Sequence, residues 1–187
     1  MPKQVDHGER RRQVAEALWR VTAEHGLEAV TLRQVAAEAG VSMGLVQHYF
    51  SGKDEMLLFA YECLRDRAGA RVAALDLPAE PRARVRVLLV DLLPLDADRV
   101  VEAQVAVAFL ARAAVRPEIA AVVREGQVWL RDFLAADLRA AGVRDAEHEA
   151  DVLLALHDGL VGHVVSGYRT AARARGVLEG HLDRLLG

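Results

Sequence analysis

The stretch from Gly40 to Met56, GVSMGLVQHYFSGKDEM, gathers side chains that can bind nucleic acid. Gln47 can form hydrogen bonds with the edge of an adenine base. His48 and Tyr49 can donate hydrogen bonds to phosphate oxygens, and their rings can pack against sugars. Lys53, one of only two lysines in the chain, supplies a positive charge. Because these residue types lie so close together, the stretch indicates contact with both the bases and the phosphates of a nucleic acid.

Two short helices joined by a tight turn are predicted to position these side chains. Thr31 and Gln34 fit the capping-box pattern at the start of the first helix. A turn follows at Gly40, and Ser42 is a favourable N-cap for a second helix that ends near Phe50. This pattern is typical of a helix-turn-helix, which presents its second helix to the major groove of DNA. The outer face of that second helix is predicted to carry Ser42, Met43, Gly44, Gln47, His48 and Tyr49.

The rest of the chain also carries helical signals. Val14, Leu18 and Val21 recur with the spacing of one buried helix face, and Gly26 ends that helix. No segment has the alternating pattern and turn of a β-hairpin. We therefore predict an all-α fold of about nine helices. The later helices are expected over roughly 53–75, 81–93, 97–115, 117–141, 145–173 and 177–186, with Ser51 and Asp54 as a second capping pair and with Gly142 and Gly176 as stops.

Composition restricts where a DNA surface can lie. The chain has 187 residues, of which 52% are apolar, and its formal net charge is −3. Residues 1–53 carry seven basic and six acidic side chains, whereas the remainder carries 17 and 21. A generic polyanion-binding protein is therefore excluded, and any nucleic-acid surface must be local and lie in the first third. Within that third, Arg10, Arg11 and Arg12 either begin a solvated helix or form an arm that reaches the minor groove.

The sequence also predicts the cellular compartment. Cys63 is the only cysteine, so no intrachain disulfide is possible, and an intracellular protein is expected. The polar opening MPKQVDHGERRR lacks the apolar core of a secretory signal. No apolar run approaches the roughly 18 residues that span a membrane. We expect a cytoplasmic protein that has no membrane partner.

Residues from about 10 to 57 resemble the N-terminal DNA-binding domain of the TetR family of bacterial transcriptional regulators. The similarity lies in the stop at Gly26 and in the segments TLRQVAAEAGVS, GLVQHYF and KDEML. The recognition helix ending in HYF looks closest to the betaine/choline-regulator branch. The resemblance implies base recognition by Gln47, Met43 and His48. It implies operator contacts, most of them to the DNA backbone, at Thr31, Ser42, Gly44, Tyr49 and Lys53.

The resemblance also implies a division of the chain and an assembly. A DNA-binding domain is expected over residues 1–53, with a linker helix from about residue 53, and a ligand-binding and dimerisation domain over 54–187. Glycines inside the predicted helix 145–173 each cost roughly 1 kcal/mol relative to alanine, which close approach of another helix can offset. We expect a homodimer whose interface comprises Leu156, Leu160, His163, Val164, Gly167, Leu178, Leu182 and Leu185; ordinary packing within one chain is the alternative.

A small-molecule effector is expected to bind among the C-terminal helices and release the protein from double-stranded DNA. The candidate pocket residues are Phe59, Cys63, Arg67, Phe109, Trp129, Phe133 and His157. The alternative function is an all-helical enzyme that uses this pocket. No nucleophile–base spacing supports it, and we find neither paired Cys or His ligands for zinc nor a repeated Glu-x-x-His motif for iron. We therefore expect a repressor with no catalytic residues, no metal and no cofactor.

Overall fold

The computed structural model describes residues 7–187. Residues 1–6 lie outside the described residues. They include the beginning of the polar N-terminal stretch in which the sequence predicts no secretory signal. Within 7–187 the structure contains nine α-helices, one short 3-10 helix at Leu27–Ala29 and no strand, which confirms the predicted all-α class. No helix there is long and apolar enough to cross a membrane. The helices are α1 His7–His25, α2 Leu32–Glu38, α3 Met43–Tyr49, α4 Lys53–Ala73, α5 Pro81–Asp91, α6 Ala97–Ala113, α7 Pro117–Ala140, α8 Ala146–Val165 and α9 Ala171–Leu186.

The described chain forms two compact units. The first unit comprises residues 7–67 together with Gln104–Val122, and the second comprises Ala68–Ala103 together with Val123–Gly187. The first unit therefore includes residues beyond the boundary at residue 53 that the sequence predicts for the DNA-binding domain. That boundary stays a prediction.

Apolar side chains from every helix of the first unit form its core. Leu18 of α1, Val35 of α2 and Val46 of α3 are fully buried. The buried indole of Trp19 donates a hydrogen bond to the carbonyl oxygen of Ala60 at 3.0 Å, which fixes α1 against α4. Burial of this apolar surface holds the small helices together, because helices of seven residues are not stable by themselves.

The start of α4 is capped differently from the prediction. Glu55, and not Asp54, accepts hydrogen bonds from both the N–H and the hydroxyl of Ser51, each at 2.8 Å. These bonds, with the nearby positive charge of Arg11, hold the pKa of the Glu55 carboxyl below its ordinary value. Asp54 instead pairs with Arg116 of the same unit, Oδ2 to Nη2, at 2.5 Å. The capping carboxylate is thus one residue later than the sequence indicated.

Leucines dominate the core of the second unit. Leu160 of α8 and Leu178 and Leu182 of α9 belong to it and expose at most 3% of their surface. Charged pairs reinforce the packing at its edges. Arg84 of α5 donates two hydrogen bonds to the carboxylate of Asp137 on α7, at 2.7 and 2.6 Å. Such two-pronged pairing fixes the relative orientation of the two helices.

The boundary between the last two helices differs from the prediction. Helix α8 ends at Val165, not at 173, and Gly167 follows with a φ of 73°, the left-handed conformation that glycine readily adopts after a helix. Helix α9 then begins after Thr170, whose side chain accepts a hydrogen bond from the N–H of Arg173. Gly176 lies inside α9 and does not stop it. The predicted stop at Gly142 is correct, because that residue has a φ of 79° just after α7.

Candidate nucleic-acid interface

Helices α2 and α3 form the helix-turn-helix that the sequence predicts. Each begins with a side-chain cap: Thr31 accepts a hydrogen bond from the N–H of Gln34 at 3.2 Å, and Ser42 accepts one from the N–H of Leu45 at 3.1 Å. Between the helices, Gly40 has a φ of 66°, which a residue with a side chain rarely adopts. Gly40 thereby allows the tight turn that sets the angle between α2 and α3.

The outer face of α3 is available to a partner. Gln47, His48 and Gly44 are exposed, and Met43 keeps 46% of its surface accessible. A Cβ placed on Gly44 would meet nothing closer than the Ser42 hydroxyl at 3.9 Å, so the backbone of α3 is uncovered there. On the opposite face Val46 is fully buried. Helix α3 therefore exposes hydrogen-bonding groups on one face, while its opposite face is packed against the core.

Helices α2 and α4 precede and follow α3 in the chain. The residues at their N-terminal ends include the remaining predicted contacts, Thr31 and Lys53. Thr31 is exposed, and its hydroxyl donates to the side-chain oxygen of Gln34 at 2.8 Å. Lys53 is half-buried, and its Nζ lies 3.4 Å from the carbonyl oxygen of Glu28. Arg33 is a further basic side chain, exposed in the first turn of α2. Its position after the Thr31 cap could have indicated a phosphate ligand.

The arginines at the start of α1 have separate roles. Arg11 faces inward: its Nη2 lies 3.1 Å from a carboxylate oxygen of Glu55, and its guanidinium carbon lies 4.2 Å from the centre of the Phe59 ring and 4.7 Å from that of Phe50. Arg10 donates to the side chain of Gln13 at 2.7 Å. Arg11 therefore joins α1 to α4 in this structure, and its contact with the minor groove stays a prediction.

Residues predicted for the dimer interface fall into three groups in the second unit. Leu160, Leu178 and Leu182 pack in the core of their own chain, which is the alternative to a dimer contact. Gly167 is exposed in the turn after α8. The remaining side chains of the set are half-buried and leave part of their surface accessible, although Leu156, Val164 and Leu185 also pack against this core; the fourth is His163.

Four of the predicted pocket residues lie in the first unit. Phe59 packs on Phe50 with ring centres 5.6 Å apart, and buried Phe109 packs on Tyr61 at 5.0 Å. Cys63 lines a separate cleft of about 300 Å³ between α1 and α4. Burial raises the pKa of its thiol. The cleft is lined by Arg12, Glu16, Trp19, Cys63, Asp66 and Arg67.

The other three predicted pocket residues lie in the second unit. Trp129 and Phe133 stack one turn apart on α7, with ring centres 5.8 Å apart, but Trp129 is 60% exposed. His157 on α8 exposes only 7% of its surface, and its Nε2 atom has no hydrogen-bond partner within residues 7–187. Its Nδ1 lies 3.9 Å from the Asp158 carboxylate, too far for a hydrogen bond. Residues 7–187 hold no cluster of side chains suited to a metal ion.

Two family models match the chain. Residues 15–59 match bacterial regulatory proteins of the tetR family, and residues 81–187 match the C-terminal part of BetI-type transcriptional repressors. The second match alone covers more than half of the 187 residues. This chain belongs to the TetR family, and its C-terminal region is of the BetI type.

Individual relatives agree with this assignment. The HTH-type transcriptional regulator PksA of Bacillus subtilis (strain 168) is 36% identical over 173 residues, which are 88% of this chain and 83% of the relative. The regulator BetI of Rhizobium meliloti (strain 1021) is 35% identical over 167 residues, covering 86% and 80%. These proteins are transcriptional regulators, so the alternative of an all-helical enzyme is excluded. The present protein is likewise a DNA-binding transcriptional regulator.

Solved structures show the same fold. A transcriptional regulator from Rhodococcus sp. Rha1 superposes with a TM-score of 0.89 at 37% identity, covering 94% of this chain and 95% of that one. A transcriptional regulator from Saccharomonospora viridis, whose crystal structure is a complex with choline, has a TM-score of 0.87 at 28% identity and coverages of 94% and 96%. The two-part helical architecture is therefore shared over nearly the whole chain.

Proposed function

We propose that this protein is a homodimeric repressor that binds a DNA operator through α3 and is released by a small-molecule effector. The exposed polar face of α3 carries the proposal. Gln47, Met43 and His48 contact base edges, and Thr31, Tyr49 and Lys53 contact the phosphate backbone. The two groups have different consequences, since base contacts determine sequence preference and phosphate contacts add affinity on any duplex.

Two copies are needed because one helix-turn-helix has a small contact surface and little net charge. A dimer binds two half-sites, and its second contact is nearly intramolecular, which raises the overall affinity. The two recognition helices then insert into major grooves about one helical turn of DNA apart, roughly 34–36 Å, or a multiple of this distance. Since the target is bacterial operator DNA, the cytoplasm is the expected location.

Helix α8 supplies the best-supported dimer surface. Leu156, Gly159 and His163 lie on one face of this helix, at a spacing of three and four residues. A Cβ on Gly159 would meet nothing within 4 Å in the same chain. A helix of a second copy can therefore approach the backbone of α8 closely, and this contact offsets the cost of a glycine inside a helix.

The effector is proposed to bind in the second unit, with His157 as its polar anchor. A buried imidazole nitrogen without a partner is costly, and a ligand that hydrogen-bonds to it removes that cost. The choline complex of the Saccharomonospora viridis regulator makes choline the first compound to test. An aromatic cage around its ammonium group is not supported here, since this unit contains only Trp129, Phe133 and Tyr168 as Phe, Tyr or Trp residues, and Trp129 and Tyr168 are 60% and 69% exposed.

Release requires that the effector bind the non-operator state more tightly than the operator-bound state. Helix α4 begins next to the helix-turn-helix and continues to Ala73, so it is the proposed route by which the two regions influence each other.

A gel-shift titration tests the proposed function. The DNA is the promoter region beside the protein's own gene, with a scrambled duplex of the same length and composition as the control. We expect specific binding that falls steeply between about 50 and 200 mM salt, because binding releases counterions from the phosphates and this release is less favourable at higher salt. Choline added at fixed protein concentration then distinguishes an effector from an inert additive. Equal affinity for the promoter and scrambled duplexes would contradict an operator-specific repressor.

A further inference from the structure

His7, the first residue of α1, packs against the end of the recognition helix α3. The centre of its ring lies 4.4 Å from that of Tyr49, and the two ring planes are 86° apart. The His7 ring is also 6.1 Å from the His48 ring, and the His48 and Tyr49 rings are 5.3 Å apart. These three residues form a cluster, called here the ring cluster, in which His7 and His48 are exposed and Tyr49 is half-buried.

Tyr49 needs support from outside its own helix. It is the last residue of α3, and Phe50 already has an extended backbone, so no further turn of that helix covers the phenol ring. Edge-to-face contact between aromatic rings has a preferred geometry and restricts the rotation of the side chain. The near-perpendicular contact with His7 has this geometry.

We propose that His7 is a positioning residue for operator binding, which holds the Tyr49 side chain in the orientation that brings its phenol hydroxyl to a DNA phosphate. This inference rests on the proposed contact between Tyr49 and the backbone. Helix α1 therefore contributes to DNA affinity without its own base contact. A preoriented donor loses less conformational freedom on binding, so the same hydrogen bond yields a higher affinity.

The competing role for His7 is a direct hydrogen bond from its imidazole to the phosphate. Phenylalanine separates the two roles, because it keeps an aromatic ring against Tyr49 and removes both ring nitrogens. A double-mutant cycle with Tyr49→Phe provides an independent criterion, since it reports whether the two side chains act through the same contact.

The experiment measures affinity for a duplex that the wild-type protein selects from a random-sequence library. We expect His7→Ala to weaken binding about three- to tenfold, the range of a lost aromatic pair. His7→Phe should stay within about twofold of wild type. In the Tyr49→Phe background, His7→Ala should have almost no further effect. Thermal unfolding of each variant serves as the folding control, and we expect every variant to remain folded at the assay temperature because His7 is exposed.

Three results would overturn the inference. If His7→Phe weakens binding as much as His7→Ala, the imidazole itself makes the contact. If the losses of His7→Ala and Tyr49→Phe add in full, His7 does not act through Tyr49. If Tyr49→Phe binds as wild type, Tyr49 makes no phosphate contact, and the inference fails while the proposed repressor function stands. A wild-type protein that selects no duplex would refute the proposed function as well.

Discussion

The guanidinium carbon of Arg11 lies over the ring of Phe59, 4.2 Å from its centre. This contact joins α1 to α4, and removing it is expected to affect stability and leave DNA recognition intact. We predict that Arg11→Ala lowers the free energy of unfolding by about 1–2 kcal/mol, the range for a partly desolvated cation–π contact. Urea unfolding measures the loss, with Arg12→Ala, exposed on the same helix, as the control. A reduced salt dependence of DNA binding in Arg11→Ala would show instead that Arg11 contacts a phosphate.

Gln47→Ala and Lys53→Ala are expected to change DNA binding in different ways, the first in sequence preference and the second in overall affinity. Gln47→Ala should reduce discrimination at one base pair by about 1–3 kcal/mol, because a base-edge contact is lost. Lys53→Ala should weaken binding to all duplexes similarly and lower the slope of log K against log salt by about 1. Titrations with the selected duplex and its single-base variants measure both effects. Equal losses on all duplexes for both variants would mean that Gln47 does not read sequence.

The lowered pKa of Glu55 predicts a pH-dependent stability. A carboxyl whose pKa is lower in the folded chain binds fewer protons there, so its stabilisation is complete above its ordinary value of 4.5 and is lost as the pH falls through the folded value. Glu55→Gln should therefore lower the unfolding temperature at neutral pH, and the difference should shrink in acid. Melting curves from about pH 7 to pH 3 test this. Glu62→Gln, exposed on the same helix, is the matched control. A difference that is independent of pH would contradict a role for the charge.

The proposed dimer surface predicts the outcome of filling the open space at Gly159. Gly159→Leu should leave the protomer folded, because no other part of the chain lies within 4 Å of the new Cβ beyond the surrounding backbone of α8, and should weaken dimerisation through a steric clash. Sedimentation velocity at micromolar concentration measures the association. Gly69→Leu, equally open but on α4, is the control. A Gly159→Leu protein that sediments as a dimer like the wild type would move the interface away from this face of α8.

The helix-turn-helix could be predicted from sequence because its signals are local. Thr31 and Ser42 each cap the helix that follows directly, and Gly40 takes the positive φ of the turn between the two helices. The outward-facing side chains of α3 can be predicted for the same reason. Helix periodicity places Val46 on the buried face and Gln47 on the exposed one. Family membership followed from this segment, since its motifs are dense and specific.

Features that depend on tertiary packing could not be predicted in this way. Leu178 and Leu182 have the spacing of an apolar face, but spacing alone does not say whether that face meets the same chain or another copy. The pairing of Arg11 with Glu55 spans 44 residues and leaves no local signal. The α8–α9 boundary is different, because Gly167 and Thr170 are local stop and start signals, whereas Gly176 is accommodated inside α9.

Cys63 lines the cleft between α1 and α4, and its protonation state governs its reactivity. The thiolate form of cysteine is the nucleophile that reacts with peroxides and other electrophiles, and the raised pKa of Cys63 keeps it as the neutral thiol at physiological pH. The sulfur in this cleft is therefore expected to react slowly with oxidants.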